Sequence, residues 1–339
     1  MATVIHQVTD SNSQTASQTS YHQFASNGIL FGSGTESFMK VVWREAGTLS
    51  NLYINILTND RATSTFRTRK ATANANLVVS ITGATTGKFE DTVNTDAVTA
   101  GDDWHASMVT GAGGTVFTYR VISVLFAATT NTVQRMGGYV TAAFTTASAT
   151  NPGALYGDSA YMAGEADSLN AITLRSAGTL QNLHVNISAN ARTTTTTFQS
   201  RIGGVNGNLI VSVLAAATGS HEDTANSDTV SSGNAINWAA TTGTGTESIR
   251  ARGLHISFVT TNGNQQYVVG SNGTSQTAGV TTYYAFSGRM DTSTTESNMI
   301  LETNLAFTAS LLQCNISANT IALDSTLTLR KNSANGNQV

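Results

Sequence analysis

The sequence is short of proline, cysteine and charge. Its 339 residues include one proline and one cysteine, and only 11% are charged, against about 25% in an ordinary soluble domain. A single cysteine excludes a disulfide framework and a cysteine-based zinc site within one chain. With 17 Lys and Arg against 20 Asp and Glu, the chain has no basic surplus to neutralise a phosphate backbone. We therefore expect no nucleic-acid partner.

Long apolar runs are missing as well. No stretch approaches the roughly 18 uninterrupted apolar residues that span a bilayer, so we expect no membrane insertion. Residues 1–7 contain neither the basic region nor the apolar region of a secretory signal. The sequence therefore predicts a soluble protein that does not use the general secretion route.

What the sequence does contain is an internal repeat. Residues 41–52 recur as residues 172–183, 131 positions later, and both copies contain Ala-Gly-Thr-Leu followed by Asn-Leu. The match continues in order along the unit, and residues 76–80 return as residues 208–212. A match that keeps its order over most of a unit indicates a tandem structural module.

A third copy starts near Asn298. Residues 314–319 (Cys-Asn-Ile-Ser-Ala-Asn) match residues 185–190 (Val-Asn-Ile-Ser-Ala-Asn), and the sequence stops about a third of the way through the unit. Three explanations are open: a longer chain, an ordered part that gives way to disorder, or completion of the fold by strands of another chain. The predicted organisation is an N-terminal extension (1–36), module 1 (37–130), an inter-module segment (131–168), module 2 (169–261), a second inter-module segment (262–297) and an incomplete third module (298–339).

Each module has the hydrophobic pattern of β-strands. The apolar runs are short and Thr-rich, alternate with period two, and are separated by Gly, Asn and Asp clusters. Trp104 aligns with Ile236 and Trp238 with Ala106, a shift of two positions that keeps the indole on the same face of a strand. About eight short strands per module predict an all-β fold of tandem, antiparallel, jelly-roll-like sandwiches. An immunoglobulin-type sandwich is the alternative, although its cysteine pair is absent.

Several of these motifs resemble a known kind of module. Residues 46–52, the Glu-Asp-Thr of residues 90–92 ahead of residues 98–102, and residues 329–332 followed by 335–338 are similar to a β-sandwich module of bacteriophage structural proteins, such as fibres and capsid decorations. The resemblance covers both modules and the third copy. It implies an assembly role and carries no catalytic residue across.

One polar constellation recurs in both modules and suggests a metal site. Carboxylate and amide oxygens crowded in a loop are ligands that Ca²⁺ prefers. The alternative is a turn in which Asp and Asn side chains cap backbone groups. The candidate residues are Glu90, Asp91, Asn94 and Asp96, repeated as Glu222, Asp223, Asn226 and Asp228.

No catalytic pattern is present in the sequence. The six histidines form no metal-ligand pair, and no nucleophile elbow or phosphate-binding loop stands between a strand and a helix. We therefore expect a protein that is not an enzyme and has no cofactor other than the calcium considered above. Cys314 aligns with Ile54 and Val185, which predicts a buried free thiol.

The segments before each module are rich in aromatic residues. They are too long for hairpins and too aromatic for free linkers, so we expect extra strands or contacts with neighbours. Tyr156 and Tyr161, if placed at loop tips, are candidates for binding a cell-surface glycan.

The sequence as a whole predicts a virion structural protein that assembles with copies of itself and other virion proteins. The fibre, the decoration and the tail are the positions considered. A glycan-binding adhesin on the virion and a subunit of an extracellular or cell-surface filament are the alternatives.

Overall fold

The structure, a computed structural model, is almost entirely β-strand. Within the described residues, its helical parts are one turn of α-helix, α1 (Asp167–Asn170), and two 3₁₀ turns, Glu36–Phe38 and Glu296–Met299. The residues that it describes are 3–9, 13–24, 33–129, 133–138, 143–156, 167–261, 263, 266–271, 275–284, 288–289, 292–299, 306–314, 316 and 318–337.

Nine strands build the first sandwich. Its two sheets have the strand orders β1-β9-β4-β7 and β2-β8-β5-β6, and β3 also pairs with β8. The pairs β5–β6, β4–β7, β2–β8 and β1–β9 are antiparallel and nest one inside the next along the chain, which is the topology of a jelly roll. The strands are β1 (Thr3–Thr9), β2 (Thr19–His22), β3 (Val41–Trp43), β4 (Gly47–Asn59), β5 (Ser64–Lys70), β6 (Ala73–Ile81), β7 (Gly87–Val98), β8 (Asp102–Val109) and β9 (Phe117–Ala128).

The second sandwich repeats this topology. Its sheets have the orders β10-β19-β14-β17 and β12-β18-β15-β16, with β11 added to β19 and β13 to β18. The prediction of an all-β fold with antiparallel sandwich modules is thus confirmed. The strands are β10 (Val133–Gly138), β11 (Ala143–Phe144), β12 (Thr150–Gly153), β13 (Ile172–Thr173), β14 (Gly178–Asn190), β15 (Thr196–Ile202), β16 (Val205–Val213), β17 (Gly219–Val230), β18 (Ala235–Thr242) and β19 (Ile249–Thr260).

Each sandwich begins earlier in the chain than the repeat suggested. Strands β1 and β2 come from the predicted N-terminal extension, and β10, β11 and β12 from the predicted inter-module segment. The expectation of extra strands in these segments is confirmed. From here on, the name module 1 therefore refers to residues 3–129 and the name module 2 to residues 133–261.

The cores follow the period-two pattern. Trp104 and Ala106 on β8, and their counterparts Ile236 and Trp238 on β18, are all buried in the core of their module. In the middle of β14 the residues on both faces are buried, including Asn186 on the face opposite the core. A second partner must therefore cover the outer face of this strand, and that partner is module 1.

The chain after module 2 forms small pieces of sheet within its described residues. We call the described residues between 263 and 337 the third segment. Its strands pair as β20–β22, β21–β23 and β24–β25. They are β20 (Gly270–Ser271), β21 (Tyr283–Tyr284), β22 (Gly288–Arg289), β23 (Thr292–Ser293), β24 (Arg330–Lys331) and β25 (Ala334–Asn335).

The prediction that Cys314 is buried is wrong. Its thiol is exposed, although the aligned Ile54 and Val185 are fully buried. In modules 1 and 2 the strand that carries this position lies between two later strands of the same module. Within the described part of the third segment, no strand pairs on either side of this position.

Candidate functional site

The centre of the interface between the two modules is a buried arginine. Arg135, on β10 of module 2, donates a hydrogen bond to the carbonyl of Val42 and another, 3.0 Å long, to Oε2 of Glu45, both in module 1. Its guanidinium carbon lies 4.8 Å from the centre of the Trp43 ring. Burial lowers the pKa of Arg135, and the Glu45 carboxylate opposes that shift. One side chain thus combines an ion pair, a carbonyl bond and a cation–π contact.

The strand register directs this arginine out of its own module. Met136, the next residue on β10, is part of the core of module 2. Because successive side chains on a strand point to opposite faces, Arg135 is directed outward. β10 pairs with β19 in the sheet that packs on module 1. The cation therefore enters the neighbouring module, where an indole and a carboxylate receive it.

Aromatic rings enclose the arginine site on the side of module 1. The Trp43 ring meets Phe126 edge-on at 4.4 Å between centroids and His6 at 5.0 Å. Burial, with a contribution from the charge of Arg135, lowers the pKa of His6 to about 3. His6 is therefore neutral at pH 7 and packs as an aromatic ring beside a cation.

Module 2 contributes two stacked histidines to the same region. The rings of His184 and His255 lie 6.0 Å apart and nearly parallel. Burial lowers the pKa of His184 to about 3, and the charges of Arg135 and Arg44 act in the same direction. Asn186, two residues along β14 on the same face, binds Ser37 of module 1. His184 therefore lies at the interface, where its burial keeps it neutral.

Peripheral contacts complete the interface. Arg44 Nε donates to Oε2 of Glu222 at 3.0 Å, in a pair that is partly exposed. Asn186 Nδ2 donates to the carbonyl of Ser37 at 2.9 Å. At Gly253 a Cβ atom would lie 2.7 Å from Nε2 of the buried Gln23, so the missing side chain allows a close approach.

The candidate calcium ligands lie within strands rather than in a loop. Glu90, Asp91, Asn94 and Asp96 all belong to β7, and their counterparts in module 2 belong to β17. The expected loop is replaced by a β-bulge, where the pairing of β4 with β7 shifts between Ser50 and Leu52. The recurring polar residues thus mark an irregular point of a continuous strand.

Asp91 and its counterpart Asp223 cap backbone groups. Oδ1 of Asp91 accepts from the backbone N–H of Val93 and of Asn94, and Oδ2 accepts from the N–H of Val78 and from Nδ2 of Asn94, all within 3.1 Å. Burial raises the pKa of Asp91, but these hydrogen bonds outweigh it and lower the pKa overall. In module 2, Asp223 makes the corresponding bonds to Ala225, Asn226 and Ile210.

Asp96 and Asp228 are buried and cap the neighbouring strand. Asp96 accepts from the hydroxyl of Thr68 and from the backbone N–H groups of Asn76 and Leu77. Asp228 accepts the same bonds from Ser200, Asn208 and Leu209. β6 is the outermost strand of one sheet and β7 of the other. The carboxylates of β7 therefore occupy N–H groups at the edge of β6, which pairs with no further strand in the part of the chain that the structure describes.

The two glutamates of the constellation have other surroundings. Glu222 pairs with Arg44 of module 1, and Glu90 faces Tyr53 across the β4–β7 pair. Within the described residues, no group of three His, Cys, Asp or Glu side chains has a geometry that could hold a metal ion. The geometry of this constellation therefore supports the capped-turn interpretation.

The first glycan-binding candidate lies inside the protein. Tyr156 is not at an exposed loop tip: its ring is buried in the core of module 2, and burial raises its pKa. The expectation that it faces solvent is wrong, because the segment before module 2 packs onto that module. Tyr161 lies outside the described residues.

Sequence reasoning missed the residues of the interface. Arg135 stood in a segment interpreted as lying between modules, and His6 in a terminal extension. A single arginine carries no motif, and its burial depends on a partner that is about 90 residues away. The available signal is the alignment of Ile5 with Arg135, which replaces an apolar residue by a charged one at one position of the repeat.

No family model matches the sequence, and no curated protein matches it. Among solved structures, the STIV MCP aligns with 76% of this chain and 97% of its own, at 11% identity and a TM-score of 0.24. The insecticidal delta-endotoxin Cry8Ea1 from Bacillus thuringiensis aligns with 73% of this chain and 60% of its own, at 7% identity and a TM-score of 0.19. Because both TM-scores are low, the assignment of the fold rests on strand order alone. No helix in the described part is long and apolar enough to cross a membrane.

Replacement of Arg135 is expected to destabilise the protein strongly. In Arg135→Ala the carboxylate of Glu45 stays buried without its cation, which costs about 3–5 kcal/mol. Arg44→Ala, which removes the partly exposed ion pair of the same interface, is the matched control and costs about 0–1 kcal/mol. Urea unfolding of both variants measures the difference. Equal midpoints for the two variants would contradict the central role of Arg135.

Acidification from pH 6.5 towards pH 3 is expected to lower the thermal stability. The unfolded chain binds protons at His6, His22 and His184 near pH 6.5, whereas the folded chain keeps these histidines neutral down to about pH 3. Each histidine then removes up to about 1.4 kcal/mol of stability per pH unit. Calorimetry between pH 7 and pH 4 measures the decline, and His184→Gln is expected to reduce its slope. An unchanged melting temperature over this range would refute the assignment of neutral histidines.

Replacement of Asp96 is expected to destabilise module 1 without any link to calcium. Asp96→Ala leaves the buried N–H of Leu77 and the part-buried N–H of Asn76 without their acceptor, while the Thr68 hydroxyl keeps the carbonyl of Leu77. The loss costs about 1–3 kcal/mol. The melting temperature of the unmodified protein is expected to be the same in 1 mM Ca²⁺ and in excess chelator, since an ion that bound the folded state would raise it. A calcium-dependent rise that is lost in Asp96→Ala would restore the metal interpretation.

Proposed function

We propose that this protein is a non-enzymatic structural component of a virion, which assembles with copies of itself and with other virion proteins. Jelly rolls are common in viral capsid proteins, but they also occur in lectins and cupins. The topology alone therefore does not select among these functions. The observation that carries the proposal is the buried interface around Arg135, which holds the two jelly rolls in one fixed relation.

A fixed pair of sandwiches suits an assembly subunit. Ordered assembly repeats one contact geometry from copy to copy, so the two halves of a subunit must not move independently. The desolvated ion pair of Arg135 with Glu45 gives the modules a defined orientation. Within the virion, the resemblance of the repeated motifs to bacteriophage modules favours a fibre, decoration or tail position.

Module 2 also exposes apolar side chains on an outer face. Ile210 and Leu214 on and just after β16 are 39% and 65% exposed, and the aligned positions in module 1 are Val78 and Thr82. Apolar side chains at solvent favour contact with another protein surface. The adhesin alternative has no comparable support, because the ring of Tyr156 is buried.

Self-assembly is the measurable consequence. Sedimentation velocity and negative-stain electron microscopy of the purified chain over a concentration series are expected to show assemblies of uniform size. Leu214→Lys is expected to reduce assembly by placing a charge in the contact, whereas Thr82→Lys, at the aligned position of module 1, leaves it unchanged. A protein that remains monomeric at every concentration, or that assembles only into irregular aggregates, would refute the proposal.

A further inference from the structure

The third segment reproduces side-chain contacts of module 1 around an arginine. In module 1, Arg69 Nε donates to Glu36 Oε1 at 2.6 Å, and its guanidinium lies over the ring of Tyr21 at 5.6 Å. In the third segment, Arg330 Nε donates to Glu296 Oε1 at 2.7 Å and lies over the ring of Tyr283 at 5.6 Å. The same ion pair and the same cation–π contact thus occur in module 1 and in the third segment.

Backbone features of the repeat also recur there. Leu311 has a φ of 60°, and the aligned Asn51 and Asn182, which lie at the bulges of β4 and β14, have φ values of 52° and 55°. A left-handed leucine is unfavourable unless its surroundings impose it. Ile321 N–H donates to Oδ1 of Asn319 at 2.9 Å, as Arg61 N–H donates to Oδ1 of Asn59 in module 1. These two local features of the first half of a module therefore recur in the third segment.

The third segment also contacts both modules through aligned positions. Gln134 of module 2 exchanges hydrogen bonds with the backbone of Tyr267, whose N–H donates to Gln134 Oε1 at 2.7 Å. Gln266 exchanges the same pair of bonds with the backbone of Ile5 in module 1, where Ile5 N–H donates to Gln266 Oε1 at 2.8 Å. One contact leads from module 2 to the third segment and the next from the third segment to module 1. The three units therefore close into a ring.

A second set of contacts follows the same direction around the ring. Arg135 of module 2 binds Glu45 of module 1. Tyr267 of the third segment aligns with Arg135, and Ser176 of module 2 aligns with Glu45. The hydroxyl of Tyr267 lies 3.2 Å from the hydroxyl of Ser176 and accepts a hydrogen bond from the backbone N–H of Ser176 at 2.9 Å. The third segment thus sits against module 2 as module 2 sits against module 1.

The third segment exposes the residues that form the core elsewhere. Ile316 is 64% exposed and Leu327 41%, and Cys314 is exposed as well. The aligned residues of both modules are at most 2% exposed: Ile54, Ile56 and Phe66 in module 1, and Val185, Ile187 and Phe198 in module 2. In module 2 the strands that flank β14 are β17 and β19, and β18 flanks β15.

We propose that the third segment is the first half of a third jelly roll, and that its apolar face binds a polypeptide that carries the last three strands of the repeat. The equivalent part of module 2 is β17, β18 and β19. Charge complementarity supports this occupant: Glu222 on β17 pairs with Arg44 of the preceding module. Arg175 of module 2 aligns with Arg44 and is exposed, so by the same repeat it would pair with an acidic residue of the bound polypeptide at the position of Glu222.

Cys314 is a built-in reporter for this binding. In the register of the repeat, Val339 aligns with Ile210, so residues 211–261 can be appended directly after Val339. We expect maleimide labelling of Cys314 in the extended chain to slow by about tenfold or more, as for a thiol that moves from solvent into a core. A separate polypeptide of residues 211–261, added to the unmodified chain, is expected to slow the labelling as its concentration rises.

The matched control carries Leu254→Asp and Phe258→Asp in the appended or added copy only. Both side chains are fully buried in module 2, so the charged copy cannot cover the apolar face, and labelling of Cys314 is expected to stay fast. Calorimetry of the same samples reports whether modules 1 and 2 remain folded. Fast labelling with both the appended and the added unmodified copy would overturn the proposal. Self-assembly of the unextended chain is a separate measurement, so this result and the proposed virion role can fail independently.

Discussion

The desolvated guanidinium of Arg135 is the constraint on which the arrangement of the modules depends. A cation of this size is tolerated in a protein interior only when its donors are satisfied and its charge is compensated. Module 1 provides a carboxylate at Glu45, a carbonyl at Val42 and the face of Trp43. Because these groups hold fixed positions on one module, the cation of the other can enter in one orientation. The neutral state of His6 and His184 follows from the same burial and the same charge.

The repeat and the period-two pattern were sufficient to predict the fold class. Alternation along β4 and the shift of tryptophan between positions 104 and 238 identified core-facing residues correctly, since a strand has only two faces. The module boundaries were not predictable in this way. β1 and β10 diverge in sequence, as one places Ile5 and the other Arg135 on the outward face, and alignment of the repeats therefore started after them. Strand pairing depends on backbone groups that every sequence has.

The recurring Asp residues show why their role was ambiguous from sequence. Carboxylates that bind a cation and carboxylates that cap N–H groups require the same residue types at a similar spacing. The distinction lies in what surrounds them: Asp96 meets two N–H groups and a hydroxyl, and Asp91 meets three N–H groups and an amide. Each module has an open sheet edge at the same place, so each needs the same cap. The repetition of the constellation thus reflects an edge that the topology leaves unpaired.

Modules of the same fold must still adopt one order around the ring. The residue that enters the preceding module is Arg135 in module 2 and Tyr267 in the third segment, and the residues that receive them are Glu45 and Ser176. An exchange of neighbours would bury the guanidinium beside a serine and leave the glutamate beside a phenol. Both arrangements leave a buried charge without its partner, which costs several kcal/mol. These two positions, which differ in chemistry between the copies, therefore distinguish correct from incorrect neighbours.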